Sequence, residues 1–214
     1  MKNEFLISNE EVWDIFLKCA YDFKNLIEQI NESTYAQIAL GNWTCISLIG
    51  HTLRSIRTVS VYVADPLFDI EPDLKVASDY FGVLDLKNKS LMEQVELRGI
   101  SEGESIKHDV LGQVETSIKD VITDVSQLSS KAVVKVIQDL TIPVTEYLKT
   151  RIFELTVHSL DIAKAMNLEF KPNDEAIKIC IEILIKVAEK SHILPDILLA
   201  LTGREVELKD ISIF

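Results

Sequence analysis

The chain has 214 residues, enough for one large domain or two small ones. It is 47% hydrophobic, so it can bury a sizeable core, and its formal net charge is −12. That acidity argues against nucleic acid and against an anionic membrane surface as partners, because both are met by clustered Lys and Arg.

In chain order, Val12, Phe16, Cys19, Ala20, Phe23, Leu26, Ile27 and Ile30 recur at helical spacing and predict a first amphipathic helix. Ser8 and Glu11 read as a capping box at its start. A second helix is expected from near Thr44 to about Ala64, ended by Asp65-Pro66. Residues 65 to 84 hold two prolines and scattered acids and read as loop. Residues 85 to 128 read as helical with a break around Gly99 to Gly103. Val133 to Ile137 is a β-branched run, predicting a short strand or an extended connector. A long helix then starts after Pro143 and ends near Asn167, and Asn173 caps a very apolar helix over about 174 to 190. The run Ile177 to Val187 within it offers a homodimer face or a buried core helix. Pro195 opens a short last helix, with Gly203 at its C′ position. Glu205 to Phe214 alternates apolar and polar residues and suits a strand. Four long helices with short connections mean an all-α four-helix bundle over residues 1–214, with additional C-terminal helices and room for one short β-hairpin.

Cys19, Cys45 and Cys180 are odd in number and far apart, with no Cys-x-x-Cys pair, so they read as reduced core thiols of a cytoplasmic protein. The N-terminus lacks an apolar signal core, and charge interrupts the longest apolar stretches, so no membrane span is expected.

The chemistry concentrates in Arg151-Ile-Phe-Glu154-Leu-Thr-Val-His158-Ser-Leu-Asp161. At about 100° per residue, Arg151, Glu154, His158 and Asp161 share an arc of roughly 80° on one helix face. A carboxylate and an imidazole buried on one stripe are costly unless compensated, and a metal ion compensates both. Glu154 and His158 can reach one ion from adjacent turns, although a solvated Glu and a satisfied His are the bland alternative. In the second helix His51 sits among Ile46, Leu48, Ile49 and Leu53, either a core histidine or a ligand. Gly50 beside it would let a partner helix or ligand approach closely. Arg151 and Asp161 could be a plain ion pair. In a functional reading, Arg151 neutralises Glu154 or orients an anionic substrate, and Asp161 accepts from the second ring nitrogen of His158. Arg54 is a surface charge or a holder of an anionic ligand. His108 lies in a polar stretch and reads as exposed, and His192 as a capping residue near a helix end.

Trp43-Thr44 followed by His51, then Arg151-x-x-Glu154-x-x-x-His158-x-x-Asp161, then Leu201-Thr202-Gly203-Arg204, resembles the DinB-like superfamily. Within it the pattern is most similar to the N-terminal metal-binding domain of the mycothiol-dependent maleylpyruvate isomerases, over nearly the whole chain. The resemblance implies a four-helix bundle holding a divalent metal, zinc above all, on His51, Glu154 and His158. It also implies a low-molecular-weight thiol such as mycothiol or bacillithiol as a second cofactor. Two imidazoles and one carboxylate leave a coordination position open, the hallmark of a catalytic site, and suit nickel or iron as well as zinc. The expected function is a metal-dependent transferase or isomerase that uses the thiol on a small electrophile. The alternatives are a metal-dependent hydrolase, and a non-catalytic metal-binding bundle acting as sensor or dimer module.

Overall fold

The computed structural model describes residues 9–84, 88–126 and 128–207. Its first helix, α1, spans Asn9–Ile27 and buries Val12, Phe16, Cys19, Ala20, Phe23, Leu26 and Ile27, the predicted stripe. The expected capping residue Ser8 lies outside the described residues. A small hairpin follows, β1 (Ile38–Leu40) and β2 (Trp43–Thr44), antiparallel and turned through Gly41 at φ +54°. Helix α2 spans Cys45–Val63 and is capped by Thr44, whose hydroxyl accepts from the Ser47 N–H.

Two expectations fail in the middle of the chain. Residues 65 to 84 are not all loop: a short helix, α3 (Ala77–Gly82), forms where the Asp79 carboxylate accepts from the Lys75 and Val76 N–H groups. The predicted break at Gly99 to Gly103 is also absent. Helix α4 (Lys89–Ile106) runs through both glycines, and the chain turns instead at residues 107–109, where Asp109 caps α5 (Val110–Val125). The glycines serve contact rather than bending. A Cβ on Gly103 would lie 2.6 Å from the Ile46 carbonyl oxygen, one on Gly50 would collide with the Gly103 backbone, and one on Gly99 would press on the Trp43 indole at 3.0 Å. Helices α2 and α4 therefore cross backbone to backbone, the approach expected at Gly50.

The run at 133 becomes β3 (Val133–Lys135), paired antiparallel with β4 (Thr141–Pro143), so the described residues hold two hairpins rather than one. Helix α6 (Val144–Met166) ends at Asn167 in the left-handed conformation, φ +53°, where its N–H caps the Ala163 carbonyl. Asn173 caps α7 (Asp174–Lys190) through its side chain. Helix α8 (Leu194–Leu201) closes at Gly203 with φ +79°. Residues 204–207 carry no strand, and the rest of the expected terminal strand lies outside the described residues.

Helices α1, α2, α5 and α6 form a four-membered ring in contact order α1–α6–α2–α5–α1, with α4 flanking α2 and α7 flanking α6. One continuous apolar core fills it, with Phe16, Phe23, Leu48, Leu53, Ile118 and Ile152 essentially inaccessible. Each such side chain contributes about 1.5–3 kcal/mol of burial. Helix α7 turns Ile179, Cys180 and Ile183 inward and leaves Ile181 and Ile185 half exposed, so it is a core helix on one face only. Cys19, Cys45 and Cys180 are free and buried, and among the described residues no helix is long and apolar enough to cross a membrane.

Candidate metal centre

The packing of α2 on α6 brings His51 against the Glu154 and His158 stripe. Glu154 Oε2 lies 3.6 Å from His51 Nε2 and 3.3 Å from His158 Nε2. The three donor atoms all fall within 4.8 Å of one another, and the two imidazole rings meet edge to face at 5.0 Å. Both carboxylate distances exceed the usual N–H···O range of about 2.7–3.2 Å. They match a different figure. A tetrahedral ion with ligand bonds of about 2.0–2.2 Å separates its donors by about 3.4 Å. The donor chemistry, two imidazoles and a carboxylate, fits a divalent ion equally well.

The surroundings orient these donors. Asp161 Oδ2 sits 3.2 Å from His158 Nδ1, one turn further along α6, which leaves Nε2 to face Glu154. The Trp43 indole lies over the His51 ring at 4.5 Å and meets His158 edge-on at 6.3 Å. Its own Nε1 donates to the Glu96 carbonyl, 3.1 Å, so α4 fixes the indole. Trp43 is a site residue that the sequence reading left without a role, although it stands at the head of the motif containing His51. The side chains of His51, Glu154 and His158 retain 19%, 20% and 15% exposure.

Electrostatics sharpen the cluster. Burial would raise the Glu154 carboxyl, but its close approach to His158 and His51 and the charges of His158 and Arg151 hold it well below the usual range. Burial pulls His158 down, yet Asp161 and Glu154 together push it up to about 9. His51 moves the other way: burial lowers it, and its contact with Glu154 only partly opposes that.

Arg151 lies deeper than the donors and is buried. Its guanidinium packs over the rings of Tyr80 and Tyr147, at 5.3 and 5.1 Å, and its Nε donates to the Thr150 hydroxyl at 3.0 Å. No carboxylate lies within 4.0 Å of it among the described residues, so it is not the plain ion pair considered from sequence. Cation–π contacts return about 0.5–2 kcal/mol each, less than the several kcal/mol that burying a charge costs. Tyr80 and Tyr147 come from α3 and the start of α6, and no spacing in the sequence announced them.

Arg54 is already engaged. It donates to Glu102 at 3.0 Å, while Arg57 bonds the other Glu102 oxygen, Ser117 and Gln113, tying α2 to α4 and α5. His108 is exposed, as expected. His192 caps α7 through its backbone N–H to the Glu189 carbonyl, at φ +60°, with its side chain exposed.

The architecture is a helical bundle with a convergent two-histidine, one-glutamate donor set on facing helices. Among solved structures the chain is similar to mycothiol-dependent maleylpyruvate isomerase, with a TM-score of 0.52 at 13% identity, over 86% of this chain and 69% of the other. It is similar as well to a histidine-to-alanine variant of that enzyme, with a TM-score of 0.53 at the same identity and coverage. At that identity the likeness is one of fold. No protein-family model matches the sequence, and no curated protein matches it.

Proposed function

We propose that this protein is a single-domain, divalent-metal-dependent enzyme whose site is His51, Glu154 and His158, and that it transfers or isomerises a small electrophile with the help of a low-molecular-weight thiol. The convergence of the three donor atoms to within 4.8 Å carries the reading. Zinc suits the donor set best, and nickel or iron suits it too. The neighbour of the same fold is named for its dependence on mycothiol, which supports a thiol of that kind, mycothiol or bacillithiol. Three buried, unpaired cysteines fit a reducing cytoplasmic setting.

Bound here, a divalent ion would supply a Lewis acid that brings a thiol's pKa toward neutrality. The chain's own residues do the rest. Asp161 fixes the tautomer and orientation of His158. Trp43 restricts the His51 ring and shields one side of the site from water. The partial exposure of the three donors leaves an approach for the thiol. Cys19, Cys45 and Cys180 do not compete for the metal, since burial pushes their thiols up to about 12, 11 and 12. Hydrolysis is the weaker reading because Asp161, the carboxylate beside the donors, is committed to His158 rather than free to act as a base.

Elemental analysis of tag-free protein tests the centre. About one metal per chain is expected, and none in His158→Ala. Thiol titration of the loaded protein, followed by turnover of model electrophiles with and without thiol, then tests the chemistry. A metal-loaded protein that binds no thiol would defeat the thiol reading, and thiol-independent turnover would favour hydrolysis.

A further inference from the structure

We infer that the outer face of α7 is a homodimer interface, on which a second copy of this chain docks with its own α7 antiparallel. This is independent of the metal centre. At about 100° per residue, Lys178, Ile181, Ile185 and Glu189 share an arc of roughly 80°. They lie opposite the face that carries Ile179 and Ile183 into the core, and all four are exposed. A single surface isoleucine is ordinary, but two adjacent ones on the solvent side of a charged helix call for a partner. Helix α8 follows directly and buries none of its residues, with Leu198 at 64% and Leu201 at 82% exposure.

Self-complementarity identifies the occupant as a second copy. In a two-fold interface, if one residue meets a second residue of the partner, the second also meets the first. Two antiparallel α7 helices satisfy this twice in one register. Ile181 meets the partner's Ile185 about position 183, and Lys178 meets the partner's Glu189 about position 183.5. The two midpoints differ by half a residue, about 0.8 Å along the axis. A parallel partner would instead set lysine on lysine and glutamate on glutamate. Antiparallel pairing also brings the α8 of each copy beside the start of the other's α7, where its leucines gain a surface to pack on.

Charge supports the same register. Within α7, Glu182 bonds Lys186 at 2.7 Å, and neither Lys178 nor Glu189 has an ion-pair partner within 4.0 Å among the described residues. A formal charge of −12 makes two copies repel over most of their surfaces. On this face Lys178 and Lys186 balance Glu182 and Glu189, so the repulsion is least here.

Sedimentation velocity of the tag-free full chain over a concentration series is the test. A species of two chains that grows with concentration is expected. Ile181→Asp combined with Ile185→Asp should leave a monomer with unchanged helical circular dichroism, since neither side chain lies in the core. Lys178→Glu alone, or Glu189→Lys alone, sets like charges opposite each other twice and should raise the dimer Kd by about tenfold. The double exchange Lys178→Glu with Glu189→Lys restores both pairs and should bring the Kd back close to the parent value. A parent that stays monomeric at every concentration would overturn the interface. So would a dimer that survives the paired aspartates, or a double exchange that fails to rescue the single ones.

Discussion

Two polar clusters sit side by side on α2, one turn apart, and they differ in how their hydrogen bonds close. In the Arg54–Arg57–Glu102 cluster every contact is a direct bond of 2.8–3.1 Å, and both Glu102 oxygens are taken. In the His51–Glu154–His158 cluster the atoms converge at 3.3 and 3.6 Å, too long to satisfy one another fully. The first cluster is complete without a ligand and ties three helices together. The second brings two imidazole nitrogens and a carboxylate oxygen to a common centre. Charged groups alone do not distinguish a structural cluster from a binding site; the spacing of their donor atoms does.

The sharpest way to break this contrast is substitution at the convergent cluster. His158→Ala or Glu154→Gln should abolish stoichiometric metal, measured by elemental analysis, while circular dichroism stays helical. If either variant retains a full equivalent, the two clusters are alike. Asp161→Asn acts one layer out and should weaken metal affinity by about 10- to 100-fold, measured by chelator competition.

The next effect is pH. In the metal-free protein His158 is raised above its ordinary value of 6.5 to about 9, through Asp161 and Glu154 against the opposing effect of burial. Its contribution to stability is therefore complete below the ordinary imidazole pKa and is lost as pH rises through about 9. Glu154 is depressed, so its contribution is present above the ordinary carboxylate range and fades as the solution is acidified. Thermal melts of the metal-free protein across that range should show both slopes. A metal must displace the His158 proton, so affinity should rise by up to about tenfold per pH unit until about pH 9.

The smallest effect on the metal is expected at the closed cluster. Glu102→Ala leaves two arginines without their acceptor and should cost about 1–3 kcal/mol of stability, read by urea unfolding, with metal stoichiometry unchanged. Loss of metal in that variant would show that the clusters are coupled through the α2–α4 crossing.

Much of the architecture was legible in the residues, and for local reasons. Thr44, Asn173 and Gly203 mark helix ends because capping and left-handed conformations are decided within a few residues. The stripes on α1 and α6 are legible because helical period alone places them. Reading failed where a glycine or an acid had two possible uses. Gly99 and Gly103 looked like a helix break, but they are needed for close contact with Trp43 and Ile46. Residues 77–82 looked like loop because Asp79 caps its own helix from within and draws on Lys190 of α7.

The sequence by itself determined that Glu154, His158, Asp161 and Arg151 lie along one face of α6, since helix geometry admits no other arrangement. Tertiary packing alone decided which neighbours that face meets. It set His51 opposite Glu154, laid Trp43 over the imidazole, placed Tyr80 against Arg151 and turned Arg54 toward Glu102. Three of those pairings join residues dozens of positions apart on different helices and the fourth joins β2 to α2, and the direction of each side chain depends on how α2, α3, α4 and α6 cross. Periodicity along one helix carries no information about that crossing.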